Sequence, residues 1–194
     1  MLCQPWRGQS VLVNSILNDK NLIINIIEYI QKPPHNSYRV QKGIQILLCI
    51  LGLLGDDQPD LPMVITLFMT TIPYFTKLLC NFSSSSSSPA SLSSYRAPFG
   101  FDRLYILEFF VGLLYTSFPI VVQVFAANSV FSVVLAIFLR YPWNNIVHHQ
   151  ITLLFSGLLC SSDALLIKSV CFFFVLTLYF VKKIDQSNNL FLRF

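Results

Sequence analysis

Apolar residues recur at three- and four-residue steps along most of the chain, a spacing that places them on one face of an α-helix. In residues 21–30 the repeated positions are Leu22, Ile23, Ile26, Ile27 and Ile30. In residues 37–54 they are Val40, Ile44, Leu47, Leu48 and Leu51. The apolar runs are too long for strands, and glycine occurs only 7 times in 194 residues. The pattern therefore predicts an all-α fold.

Prolines and polar clusters divide this pattern into segments of helical length. We expect helices at residues 10–17, 21–30, 37–54, 61–82, 104–115, 119–127, 130–140 and 146–159. Pro73 should kink or break the fourth segment, and Pro119 should begin a helix. Pro142 should turn the chain at Tyr141. Short turns between helices of this length are typical of stacked helical pairs, although the sequence has no strict repeat. The expected N-caps of the later helices are Asn128, Asn144 or Asn145, and Asp163.

A serine tract interrupts the apolar pattern near the middle of the chain. Residues 83–88 are all serine, and Pro89, Ser91, Ser93 and Ser94 extend the tract. Because the tract has almost no apolar side chain to bury, we expect a disordered linker at residues 83–98. The linker separates an N-terminal helical part, residues 1–82, from a C-terminal helical part, residues 99–168. Residues 169–194 form an apolar tail of different character.

The composition favours either a membrane protein or a helical protein with a very apolar inner layer. Hydrophobic residues make up 54% and charged residues 11% of the chain, against about 25% charged residues in typical soluble domains. No charge occurs between Phe109 and Leu139, a length that could cross a bilayer of about 30 Å. However, Pro119, Gln123 and Asn128 interrupt that stretch, and no lysine and arginine bias flanks it. A small polytopic membrane protein therefore remains the alternative hypothesis.

Charge and cysteine usage give no sign of a nucleic-acid partner or of disulfides. The net charge is +4, and Lys182-Lys183 is the only adjacent basic pair, so no basic stripe is available to neutralise phosphates. The five cysteines form no CxxC pair or metal-ligand spacing. We expect them to be reduced and buried, in a cytoplasmic protein. The cysteines are Cys3, Cys49, Cys80, Cys160 and Cys171.

Catalytic and metal-binding patterns are also missing from the sequence. His148 and His149 are adjacent, so on a helix they point about 100° apart and suit a shared metal ion poorly. Asp102, Glu108 and Asp163 are isolated, which leaves no carboxylate pair for acid–base catalysis. No phosphate loop, dinucleotide fingerprint or nucleophile elbow occurs. We therefore expect no catalytic residue, no metal and no cofactor, and we predict that the chain is not an enzyme.

The most specific pattern is the segment from Arg140 to Ile151. Trp143 should be a large buried anchor between two helices, contributing about 2–3 kcal/mol. Asn144 and Asn145 should accept hydrogen bonds from the free N–H groups of the next helix, and His148 and Gln150 should lie in its first turns. Two interpretations stay open: the residues fix the angle between the helices, or they contact a partner directly.

At these residues the sequence resembles the SAPS-domain family, the regulatory subunits of protein phosphatase 6 and its fungal counterpart. An acidic residue usually follows this motif in the family, and Thr152 stands there in this chain. The resemblance covers about residues 10–159. Family members are much longer than this chain, so we expect a fragment. The matching motif positions are Tyr141, Trp143, Asn144, Asn145, Ile146, Val147, His148, Gln150 and Ile151; upstream matches are Phe99-Gly100, Arg103-Leu104, Leu113-Leu114 and Thr116.

The resemblance implies an α-solenoid of stacked helical pairs, of the HEAT or armadillo kind. It also implies a non-catalytic regulatory or scaffold subunit that binds the catalytic subunit of a serine/threonine phosphatase of the protein phosphatase 6 type. Such a subunit directs where the phosphatase acts. The expected location is the cytoplasm, with the nucleus as a second location.

Overall fold

A computed structural model describes residues 7–54, 61–80 and 98–159, with side chains from Val13 onward. These residues contain nine helices and no strand, which confirms the predicted all-α fold for the described part of the chain. Residues 83–97 of the linker predicted at 83–98, and the apolar tail, lie outside the described residues. The helices are α1 (Arg7–Asn18), α2 (Lys20–Gln31), α3 (Ser37–Gly52), α4 (Met63–Met69), α5 (Ile72–Cys80), α6 (Phe101–Tyr115), α7 (Pro119–Ala127), α8 (Val130–Arg140) and α9 (Asn145–Leu159).

Side-chain caps and a proline mark the start of several helices. Asp19 accepts a hydrogen bond of 3.0 Å from the Leu22 N–H and begins α2, and Asn36 begins α3 in the same way. As predicted, Pro119 is the first residue of α7. The predicted break near Pro73 is also confirmed, because α4 ends at Met69 and α5 begins at Ile72.

The prediction that Asn128 caps α8 was wrong. The Asn128 amide instead donates a hydrogen bond of 2.8 Å back to the Val124 carbonyl, at the end of α7. Ser129 then occupies the residue before α8 with φ 56°, and its side chain makes no capping hydrogen bond. An asparagine side chain can either cap the next helix or bond to the preceding one, and here the tight turn selects the second.

The expected burial of the cysteines was wrong for the two that the structure describes. Cys49 and Cys80 are both exposed and both free thiols. In α3, Cys49 lies between the buried Ile50 and the half-buried Leu48, outside the stripe of core positions. The other three cysteines lie outside the described residues, as does the cap predicted at Asp163.

Helices three apart along the chain pack side by side. Helix α6 makes its most extensive contacts with α3 on one side and α9 on the other. Helix α1 packs against α4, and α5 packs against α8. The Tyr74 hydroxyl of α5 also lies 3.4 Å from the Ile30 carbonyl of α2. Burial raises the pKa of Tyr74 and the nearby Arg39 charge partly opposes this, so the hydroxyl is a neutral donor at pH 7.

Helices α3, α6 and α9 run in the same direction. The Gln45 amide of α3 donates a 2.7 Å hydrogen bond to the Tyr105 hydroxyl in the first half of α6. Toward their C-terminal ends the two helices approach closely at Gly112 of α6. A Cβ atom placed on Gly112 would lie 2.7 Å from the Leu51 side chain of α3.

Helix α9 is parallel to α6 for the same kind of reason. Phe99, just before α6, contacts Tyr141, just before α9. At the other end, Gly157 of α9 lies against Leu114 near the end of α6.

Aromatic side chains connect the helices through the core. Phe109 of α6 contacts Phe68 and Phe75 edge-on, with ring centroids 5.5 and 5.7 Å apart. The neighbouring Phe110 contacts Phe125 of α7 at 5.0 Å, and Phe125 contacts Phe131 of α8 at 6.0 Å. Such ring pairs contribute about 0.5–1.5 kcal/mol each beyond the area they bury. Helix α6 therefore anchors the helices on both sides of it.

One described segment is long and apolar enough to cross a membrane. It is Met63–Cys80, with a mean hydropathy of 1.5 over 18 residues, of which 44% are buried inside the protein. Helices α7 and α8 pass the same test only if taken together, and they are bent by 70°. In the fold, α4 and α5 use their apolar residues Val64, Ile65, Phe68, Ile72, Phe75 and Leu79 to fill the core.

The close packing of α2 on α3 requires a residue without a side chain at Gly43. A Cβ atom at Gly43 would lie 2.1 Å from the Ile30 side chain, which is fully buried. Gly43→Ala should therefore lower the free energy of unfolding by about 1–3 kcal/mol, despite the higher helix propensity of alanine. Gly52→Ala is the matched control, because nothing lies within 4 Å of its Cβ position. Urea unfolding followed by circular dichroism checks both variants; equal midpoints would contradict the close packing of these helices.

Candidate functional site

The corner between α8 and α9 is a short turn fixed by backbone and side-chain hydrogen bonds. Helix α8 ends at Arg140, and the chain turns at Tyr141 and Pro142, as predicted. The Asn144 N–H donates to the Tyr141 carbonyl at 3.1 Å. The Asn144 side-chain oxygen accepts a hydrogen bond of 3.1 Å from the Val147 N–H. Of the two predicted caps for α9, Asn144 therefore has this role.

The predicted burial of Trp143 was wrong. Trp143 is 94% exposed, whereas Tyr141 is only 8% exposed. The Tyr141 ring contacts Phe99 edge-on, at 5.2 Å between centroids and 75° between ring planes. Tyr141 is thus the aromatic side chain of this corner that packs inward, against the ring of Phe99 just before α6. Trp143 lies on the solvent side of the turn.

His148 ties the start of α9 to the end of α8. Its Nε2 atom lies 3.2 Å from the Phe138 carbonyl oxygen, and the two rings stack at 4.2 Å. Because a carbonyl only accepts, Nε2 must carry the hydrogen. The helical partner of this carbonyl would be the N–H of residue 142, which is proline and has none. His148 thus supplies the donor that Pro142 removes.

Asn145 and Gln150 complete the predicted residues of the corner. Asn145 is exposed at the first position of α9. Gln150 is half-buried, and its buried Oε1 atom has no hydrogen-bond partner among the described residues. The five predicted residues therefore differ in their surroundings, and Gln150 is the one that is half-buried without a hydrogen-bonding role in the turn. Asn144 and His148 hold the angle between the helices, while Trp143 and Asn145 face solvent on that fixed turn.

Two further exposed apolar residues lie at helix starts next to the residues of this corner, Ile146 in α9 and Phe101 in α6. Ile146 is 64% exposed in the first turn of α9. Phe101 is 69% exposed at the start of α6, two residues after the Phe99 ring that contacts Tyr141. Sequence periodicity missed both residues, since an apolar residue at a helix end matches the core pattern equally well. Their position in the first turn of a helix is the sequence feature from which their exposure could have been predicted.

No cluster of metal-ligating side chains occurs among the described residues, which hold no group of three or more histidine, cysteine, aspartate or glutamate side chains placed to ligate a metal ion. A cavity of about 790 Å³ lies between the C-terminal ends of α3 and α6, beside Leu48, Leu51, Tyr115 and Phe118. None of the described residues that line this cavity is a histidine, cysteine or carboxylate. The corner between α8 and α9 remains the candidate site, and it exposes the apolar side chains of Trp143 and Ile146.

Comparison of the chain with protein-family models, with curated proteins and with solved structures gave no match.

Truncation of Tyr141 should lower the stability of the protein much more than truncation of Trp143. Tyr141→Ala removes a buried ring and should lower the free energy of unfolding by about 2–4 kcal/mol. Trp143→Ala removes a ring that is 94% exposed, so it should change this free energy by less than about 0.5 kcal/mol. Chemical unfolding of both variants, read by circular dichroism, checks the two values. A loss of stability in Trp143→Ala as large as that in Tyr141→Ala would contradict the exposed position.

Proposed function

We propose that this chain is a non-catalytic regulatory or scaffold subunit, built as an α-solenoid, that binds a serine/threonine phosphatase catalytic subunit of the protein phosphatase 6 type. It acts in the cytoplasm, with the nucleus as a second location, and directs the activity of the bound enzyme. Its own role is to hold the enzyme on a helical surface, without chemistry of its own.

The solenoid is supported by the order in which the helices pack. Three triplets follow one another along the chain: α1 to α3, α4 to α6 and α7 to α9. The third helices of the triplets, α3, α6 and α9, lie side by side in one direction. Contacts between α1 and α4, and between α5 and α8, repeat the same step of three. Stacking of equivalent helices from successive units is the packing expected of armadillo-like repeats.

Binding through the corner is supported chiefly by the exposure of Trp143. Tryptophan is among the residues that contribute most to protein interfaces, and an exposed ring costs the monomer favourable burial. Here the ring lies on a turn held by the Asn144 cap and the His148 hydrogen bond. A partner would therefore meet a tryptophan on a preorganised backbone, which lowers the entropy cost of binding. The motif is also where the chain resembles the phosphatase regulatory subunits.

The membrane alternative is favoured by one observation, the apolar segment Met63–Cys80. That segment is broken between Met69 and Ile72, and its large side chains contact α6 through Phe68 and Phe75. The scaffold proposal accounts for these side chains as core residues, whereas the membrane alternative rests on the length and hydropathy of the segment.

Trp143→Ala should reduce capture of the phosphatase catalytic subunit by about tenfold or more, because truncated interface tryptophans commonly cost 2 kcal/mol or more. The measurement is a pull-down with the purified chain, prepared without detergent, and the purified protein phosphatase 6 catalytic subunit. Tyr115→Ala is the matched control, since Tyr115 is 57% exposed at the opposite end of α6.

Capture by the wild-type chain, lost in Trp143→Ala and kept in Tyr115→Ala, is the expected result. A wild-type chain that folds but captures no catalytic subunit would contradict the proposed function. Recovery of the chain only from membranes extracted with detergent would instead favour the membrane alternative.

A further inference from the structure

The cavity between α3 and α6 lies where the C-terminal ends of these two parallel helices come together. Its volume of about 790 Å³ is within the range of roughly 300–1,000 Å³ that is usual for small-molecule sites. Gly52, at the end of α3, and Tyr115, at the end of α6, both line the cavity and are both exposed, so it is open to solvent. The apolar side chains in its wall are Leu48, Leu51, Leu54, Pro62 and Phe118.

Two glycines in the lining explain why the helices leave this space. At Gly112 the helices are in close contact, because a Cβ atom there would lie 2.7 Å from the Leu51 side chain. At Gly52, further along α3, no heavy atom lies within 4 Å of the Cβ position. The two helices therefore touch at the bottom of the cavity and leave open space toward their ends.

The α6 side of the cavity mouth presents hydrogen-bond acceptors. The backbone N–H groups of Thr116 and Ser117 donate to carbonyls in the last turn of α6. The Thr116 hydroxyl also donates, at 2.6 Å, to the Leu113 carbonyl, which leaves only the lone pairs of its oxygen for a ligand. The helical partner of the Tyr115 carbonyl would be the N–H of residue 119, and Pro119 has none. The Ser117 hydroxyl lies 3.5 Å from that carbonyl.

The α3 side has the same character, and neither side carries a compensating charge. The N–H groups of Leu53 and Leu54 donate back to the Ile50 and Leu51 carbonyls. Helices α3 and α6 both lack a basic residue in the last turn, and none of the described lining residues is charged. Because the C-terminal end of a helix carries a partial negative charge, two such ends at one mouth attract a cation and repel an anion.

We propose that this cavity binds a small organic cation, a molecule in which an aromatic or aliphatic body carries a protonated amine. The body lies against the leucine side chains and Phe118, which removes apolar surface from water. An ammonium group has only donors, so it matches a mouth that has mainly acceptors. Tyr115 adds an aromatic ring at the mouth, and the faces of aromatic rings attract cations.

This site is separate from the one in the proposed function. The corner between α8 and α9 lies beside Phe99, just before α6 begins, whereas the cavity lies where α6 ends. A partner protein that binds through Trp143 therefore leaves the cavity accessible. The two sites involve different residues, and each can be tested without the other.

Three probes that share one apolar body and differ in the charge of the head group test the proposal. They are 4-phenylbutylamine, 4-phenylbutanol and 4-phenylbutanoate, each titrated into the whole purified chain at pH 7 and followed by calorimetry. The amine should bind about threefold or more tightly than the alcohol, because one helix end favours a cation by about two- to fivefold. The carboxylate should bind more weakly than the alcohol, because the same helix ends repel it.

Gly52→Leu should lower the affinity for the amine by about tenfold or more, because the leucine side chain occupies the cavity. The open space at the Gly52 Cβ position allows this side chain to enter without displacing a neighbour. Cys49→Leu is the matched control, since it places the same side chain at an exposed position of α3 outside the lining. This variant should bind the amine as the wild type does.

Ser117→Lys should reverse the order of the probes, so that the carboxylate binds more tightly than the amine. Ser117 is an exposed residue at the cavity mouth, and a lysine there supplies the positive charge that both helix ends lack. Gln123→Lys adds the same charge at an exposed position of α7 and should leave the order unchanged.

The proposal is overturned if folded wild-type chain binds none of the probes, or binds all three equally. Binding of the amine that is the same in Gly52→Leu and in Cys49→Leu would place the ligand outside the cavity. If Gly52→Leu does not fold, the order of the probes in Ser117→Lys decides, and an unchanged order contradicts the proposal. Capture of the phosphatase subunit enters none of these measurements, so the two proposals fail separately.

Discussion

Helix α6 has almost no polar face to turn toward water, and its burial is the constraint on which the rest of the described structure depends. Between its first turn and its last residue, Glu108 is the only charged side chain. Seven of its residues are buried, and neighbours on both sides cover them. No other described helix has as many buried residues; α3 follows with six. The chain on each side of α6 must therefore supply a helix that packs against it.

That requirement explains the layer of parallel helices. The preceding helix α3 and the following helix α9 both lie along α6, and each close approach involves a glycine, at Gly112 and Gly157. Side-by-side packing in one direction necessarily brings three N-terminal ends together. The corner before α9 is then fixed by Tyr141 on Phe99 and by His148 on Phe138. Trp143 lies on the solvent side of this fixed turn.

The sequence allowed the helices to be predicted well, because breakers and periodicity are local. The bounds of α8 and the cap at Asn144 follow directly from such signals. The cap at Asn128 failed locally, because its amide bonds to the Val124 carbonyl four residues earlier, whereas the position of Trp143 involves a residue distant in the sequence. Tyr141, and not Trp143, packs against Phe99, about 40 residues earlier, and nothing in the turn itself encodes this contact. Likewise, the apolar surface of α6 gives no periodic face, so its central position could not be read from the pattern. Of the site, the sequence narrowed the cap to Asn144 or Asn145, but it predicted neither the bond from His148 to the Phe138 carbonyl nor the exposed residue at the start of α6.

Amide hydrogen exchange, measured by mass spectrometry under native conditions, tests the central position of α6 most directly. Exchange through local opening occurs at low free energy, whereas the most buried segment exchanges only when the whole domain unfolds. The account predicts that the amides of residues 106–114 are the slowest to exchange in the chain. Their free energy of opening should equal the global free energy of unfolding obtained from urea titration of the same protein. Faster exchange in α6 than in α1 or α7, which lie at the margins of its packing, would contradict the account.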